Sequence, residues 1–234
     1  MSAFLARLLF LTTLLYTGLM PVMGQEQKSQ SLEIEIARPI VFVQLGGHMA
    51  ELFPRLGETG LIVTADGIVI FPEHTARSTS EIRMLLSDGR RFNTSKFTIA
   101  SRYKVGIAKL DIDELPIAKI GDPAGLVAGD PVFLIVASLN EGPGLAHRKF
   151  GKLNPAKDDA PAYVQSTAPG VRSIWEGPLF NQRGELIAFN IEREKFGPGA
   201  KDIPMFGIPS QELQGIVAEF RKYLDNNPNK AAPK

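Results

Sequence analysis

"SIWEGPLFNQRGELIAFN", residues 173–190, reads as a β-hairpin with an odd approach. Gly177-Pro178 turns the chain, Leu179-Phe180 starts a strand, Asn181 to Gly184 forms a tight turn, and Glu185 to Asn190 is a second strand. Arg183-Gly184 is a hairpin signal, because glycine supplies the positive φ such turns demand. The odd part is Trp175-Glu176. A bulky ring and a charge stand side by side where such loops carry Gly or Ser.

Working outward, the same short-strand grammar recurs. Along the 234 residues, 22 glycines and 17 prolines punctuate β-rich runs. These are Pro39 to Leu45, Leu61 to Val63, Ile68 to Phe71, Ile82 to Leu86, Phe97 to Ala100, Ile107 to Leu110, Val132 to Val136, Tyr163 to Ser166, Leu186 to Ile191 and Met205 to Ile208. Asp66-Gly67 and Asp88-Gly89 add two more hairpin turns. Such spacing predicts an all-β barrel or sandwich. Helical periodicity is sustained only near the end. There Ser210 can cap a helix over residues 211–224, with Leu213, Ile216, Val217, Phe220 and Leu224 on one face.

The start of the chain reads as a secretory signal peptide over residues 1–24: Arg7, an apolar run of about 13 residues, then Pro21 to Gly24. The run falls short of the roughly 20 residues that span a bilayer. Its removal takes one basic and no acidic residue, leaving 25 of the 26 basic residues against 25 acidic ones. That balance, with no basic stripe, argues against nucleic acid as a partner. There is no cysteine, so stability must come from burial rather than disulfides. Residues 25–32 read as a flexible lead-in, 33–225 as the folded domain and 226–234 as a disordered tail. His48, Glu51 and His147 lack metal-ligand spacing, and no metal or cofactor is expected. Gly142 to Leu153 (GPGLAHRKFGKL) reads as a basic surface loop.

Three segments resemble the HtrA/Deg branch of the trypsin-like serine proteases. They are Glu58 to Phe92 (ETGLIVTADGIVIFPEHTARSTSEIRMLLSDGRRF), Ile99 to Ile135 (IASRYKVGIAKLDIDELPIAKIGDPAGLVAGDPVFLI), and Val164 to Asn190 followed by Phe206 to Ser210 (FGIPS). The resemblance implies two packed antiparallel β-barrels, about 33–120 and 125–209, a cleft between them and one C-terminal helix. Members of that branch usually continue into a peptide-binding PDZ domain. This chain stops after the helix, so none is expected.

The resemblance also assigns three seats. The catalytic histidine falls on His74, eight residues after Asp66. His74 reads either as a base or as a leftover imidazole at a strand end. The carboxylate that should orient it falls on Gly106, which has no side chain. Losing that partner alone typically costs about 10⁴ in turnover. Asp111 and Asp113 are poor substitutes, since Asp111 lies about 16 Å further along the strand. The nucleophile falls on Trp175, whose indole offers one N–H donor and no nucleophilic oxygen. The loop expected to form the oxyanion hole becomes Ser173, Ile174, Glu176 and Gly177.

From these seats the expectation is an exported, catalytically inactive homologue, not an enzyme, that binds a peptide or protein partner. Trp175 would be either an anchor for that partner or a plug in the vacant cleft. One alternative is an active serine endopeptidase with its nucleophile relocated to Ser173. Another is a structural or assembly partner of an active protease. Periplasmic or secreted localisation follows from the leader.

Overall fold

The computed structural model describes residues 31–46, 57–77, 79–137, 143–158, 160–169, 176–193 and 202–227. The expected signal peptide, His48, Glu51, Ser173, Ile174, Trp175 and residues 228–234 lie outside the described residues. Two compact units are present, 1–35 and 36–234. Of the first, only residues 31–35 are described, and these are helical. All of the described strands belong to the second.

Seven strands make the first sheet: β1 (Ile40–Leu45), β2 (Glu58–Ile62), β3 (Ile68–Pro72), β4 (Ile82–Leu86), β5 (Arg91–Thr94), β6 (Phe97–Ala100) and β7 (Val105–Lys109). Their order is β5-β4-β1-β2-β3-β7-β6, an open sheet. Alternate residues point inward, as the pleat requires. Val41 and Val43, Val69 and Phe71, and Ile82, Met84 and Leu86 therefore share one core. Each such side chain contributes about 1.5–3 kcal/mol by leaving water. The β2–β3 turn needs Gly67, at φ +93, because a Cβ there would stand 2.6 Å from the Leu110 carbonyl oxygen.

The second sheet closes into a six-stranded barrel: β8 (Pro131–Val136), β9 (Gly144–Asn154), β10 (Tyr163–Pro169), β11 (Gly177–Asn181), β12 (Leu186–Arg193) and β13 (Asp202–Pro209), in the order β10-β13-β12-β11-β8-β9. Val132, Leu134, Phe150, Val164, Leu179 and Ile187 fill it. The expected all-β fold of two antiparallel barrels with one C-terminal helix holds, the first barrel being open and the second closed.

Three local readings need correction. The basic stretch expected to be a loop is β9, which pairs with both β8 and β10. Arg148 and Phe150 point in while His147 and Lys149 stay exposed, so the alternation is real although charge hides it. Gly177-Pro178 does not turn the chain but opens β11. Proline is tolerated there because pairing with β8 begins only at Leu179. Ser210 does not cap the last helix. Its hydroxyl donates to the Gly121 carbonyl at 2.8 Å, while residues 210–212 form a 3-10 turn leading into α2 (Leu213–Asn226). Leu213, Ile216 and Phe220 of that helix are buried as its periodicity predicts.

Sheet and barrel meet where β2 packs against β8 and β11. The Ala137 amide donates to Thr59 Oγ1 at 2.9 Å across this seam. Gly177, at φ +146, lies so close that a Cβ would be 2.8 Å from the Ile135 carbonyl and 3.2 Å from Thr59 Cγ2.

Candidate functional site

The chain leaves β3 at Pro72 and makes one helical turn, α1 (Glu73–Ala76). Thr75 and Ala76 are buried and pin that turn, and Arg77 pairs with Glu73 at 3.0 Å. His74 is thereby held at the rim of the seam, its side chain 57% exposed. Nε2 of the ring lies 3.2 Å from Glu58 Oε1, at the start of β2. Nδ1 lies 3.7 Å from Glu176 Oε2, on the residue just before β11. The imidazole therefore stands between one carboxylate from its own sheet and one that the barrel brings. The Glu58 hydrogen bond is the main cause that raises the ring's pKa above its ordinary value, with Glu176 and Glu73 adding to it and burial opposing it.

Gly106 lies in β7 directly across from Phe71 in β3. A Cβ at 106 would be 2.4 Å from Phe71 Cε2, so the ring occupies the space where a side chain would begin. Asp111, considered and set aside as its replacement, is held by Lys96 at 2.8 Å on the surface. Of the loop expected to form the oxyanion hole, Glu176 and Gly177 are described. The Glu176 carboxylate faces the His74 ring.

Glu58 is the residue that sequence reasoning passed over. A signal was present: Glu58 is the one charged residue in the strand run Glu58-Thr59-Gly60-Leu61-Ile62.

A hollow of about 360 Å³ is lined by Tyr103, Pro161, Tyr163, Ile191, Phe206 and Ile208 among others, Arg102 and Lys104 included; His74 is not among its lining residues. His147, the described member of the imagined metal set, is exposed on β9 with its ring edge-on to Phe133. Among the described residues no three His, Cys, Asp or Glu side chains cluster as metal ligands. None of the described helices is long and apolar enough to cross a membrane.

No protein-family model matches the chain. Among curated proteins it is 28% identical over 199 residues to human "Serine protease HTRA4", covering 81% of this chain and 40% of the relative. It is also 28% identical over 181 residues to the "Probable periplasmic serine endoprotease DegP-like" of Halomonas elongata, covering 75% of this chain and 37% of that one. The chain thus spans about two fifths of the length of these relatives. Among solved structures, "HtrA-type protease AlgW with decapeptide" superposes with a TM-score of 0.64 at 16% identity, covering 82% of this chain and 66% of that one. The MamO protease domain from Magnetospirillum magneticum (apo form) gives 0.59 at 22% identity, covering 78% of this chain and 97% of that one. At these identities the two structures speak to fold alone.

The expectation that the protein is not an enzyme is corrected by these relatives, which are named serine proteases and endoproteases. It rested chiefly on Trp175, which lies outside the described residues, and on an empty carboxylate seat at Gly106, whereas a carboxylate reaches His74 from Glu58 instead. In sequence and in fold, the chain is an HtrA-like, trypsin-fold serine-protease homologue.

Proposed function

We propose that the protein is an exported serine endopeptidase that cuts an extended peptide laid along the seam between sheet and barrel. The observation that supports this best is His74, with Nε2 on the Glu58 carboxylate and Nδ1 turned toward the start of β11. An imidazole partnered by a carboxylate is the base that peptide hydrolysis needs. The hydroxyl in this reading is Ser173, since Trp175 has no oxygen to attack with. Ser173 is three residues before Glu176, whose carboxylate faces the His74 ring. Oγ attacks the carbonyl carbon while His74 takes its proton. His74 then returns that proton to the leaving amine, and water releases the acyl group by the same route.

The peptide partner is the substrate. The apolar hollow beside β10 and β13 has room for one of its side chains. The structurally similar HtrA-type protease AlgW was solved with a decapeptide. Export is supported by relatives named as periplasmic.

The test is labelling with a fluorophosphonate probe beside a casein-cleavage assay. Wild type should label and cleave. Ser173→Ala and His74→Ala should lose on the order of 10⁴-fold or more. A wild type that does not label, or a Ser173→Ala variant that still does, refutes the reading.

A further inference from the structure

We infer that Glu58 is the positioning residue for His74, supplying from the start of β2 the carboxylate that the backbone at position 106 cannot carry. This rests on reading His74 as the base of the site. Its first support is exclusion. The ring of Phe71, itself fully buried, stands 2.4 Å from where a Cβ at 106 would be. A carboxylate at 106 would have to displace a packed aromatic in the core.

The second support is the geometry at the ring. An ionised carboxylate can only accept hydrogen bonds, so at 3.2 Å from Glu58 Oε1 the Nε2 nitrogen carries the hydrogen. The neutral ring then keeps its lone pair on Nδ1, the nitrogen that faces the barrel side and Glu176 Oε2 at 3.7 Å. The basic nitrogen is thus the one on the side of Glu176, the residue just before β11. Once Nδ1 is protonated, the Glu58 charge balances the imidazolium.

Other charges near the ring do not fill this role. Glu73 is engaged by Arg77 at 3.0 Å, on the same turn as His74. Glu176 is beyond hydrogen-bond length. The direction of the ring's titration agrees, since the Glu58 hydrogen bond is the largest influence on it. Glu58 is at the rim, with its side chain 35% exposed, so exchanging it leaves the core intact.

The experiment is ring-nitrogen NMR of the whole chain labelled with ¹⁵N-histidine, with the His74 signals assigned through His74→Gln. Wild type, Glu58→Gln, Glu58→Asp and Glu176→Gln are titrated, and thermal melts confirm that each is folded. Wild type should show the Nε2–H tautomer when neutral and titrate above 6.5. Glu58→Gln should lose most of the upward shift, Glu58→Asp should keep part of it, and Glu176→Gln should change it less than Glu58→Gln does. An unchanged tautomer and titration in Glu58→Gln overturns the inference, as does a larger effect from Glu176→Gln. This readout does not need turnover, so a wild type that fails to label with the fluorophosphonate sinks the peptidase reading while leaving Glu58 to be decided by NMR. Where wild type does label, the inflection of its pH–rate profile should move down in Glu58→Gln. A lower rate with an unmoved inflection would reduce Glu58 to a structural part and refute the inference.

Discussion

Phe71 and Gly106 are register partners on β3 and β7, and the phenyl ring fills the space that a side chain at 106 would enter. The glycine is therefore a packing requirement of the first sheet. Gly106→Ala should destabilise the protein by about 1–3 kcal/mol, the usual range for overpacking a filled core. Combining it with Phe71→Leu should recover part of that loss, because the smaller side chain vacates the contested volume. Urea unfolding of the two single variants and the double variant measures the coupling. Additive effects would show that the ring does not set the limit at 106.

The His74 pair should make stability depend on pH in a definite direction. Its folded pKa is raised above 6.5, so the folded state holds the proton more tightly than the unfolded chain does. The added stability is fully present below about pH 6.5 and fades as pH rises through the higher folded value. His74→Gln should lose stability relative to wild type in mildly acidic buffer and converge with it at alkaline pH. The effect is small, since the ring is more than half exposed and solvent screens it. Chemical denaturation across this range checks it, and a gap that widens with pH would contradict the pairing.

Glu185 carries the opposite sign. Hydrogen bonds from Lys119, Asn181 and Arg183 hold its carboxyl at about 2, below its ordinary 4.5. Lys119 Nζ lies 2.8 Å from one carboxylate oxygen and Arg183 Nη2 2.7 Å from the other. The cluster ties the turn before β12 to the segment that links sheet to barrel. Its stabilisation is present above about pH 4.5 and is lost as pH falls through about 2. Glu185→Gln should be less stable than wild type at neutral pH, and the two should converge near pH 2. A constant difference throughout would mean that the ion pairs contribute nothing.

Ser210 should act as a tie and not as a helix cap. Its hydroxyl reaches the Gly121 carbonyl from 89 residues away, and the residue is almost wholly buried. Ser210→Ala leaves that carbonyl unpaired, at a cost of about 1–3 kcal/mol. Thermal melts followed by circular dichroism should show one earlier, cooperative transition with native helix content at the outset. Fraying of α2 before the main transition would favour a capping role instead.

Much of the fold was legible because hydrophobic periodicity is local. Ile82 to Leu86 and Phe97 to Ala100 are strands with the bounds their sequences imply. β9 was not, because His147, Lys149 and Lys152 on its outer side and a buried Arg148 mask a real alternation. The guanidinium of Arg148 is desolvated enough to lower its pKa to about 10, a state that composition could not announce.

The candidate site divides along the same line. The family resemblance, with His74 eight residues after Asp66, singled out His74. Glu58 lies 16 residues earlier, yet the β2–β3 hairpin pairs Leu61 with Ile70 and so carries the start of β2 alongside the end of β3. That half of the site follows from a turn and a register, which are short-range properties. The approach of Glu176 does not. Its carboxylate comes to His74 only because the barrel docks on the sheet along β2, through the tight passage at Gly177 and the Thr59–Ala137 hydrogen bond. The sequence by itself determined the strands, the turns and the imidazole. Packing between two independently paired sheets decided which charges surround that imidazole, because no local pattern encodes where one sheet's surface meets another's.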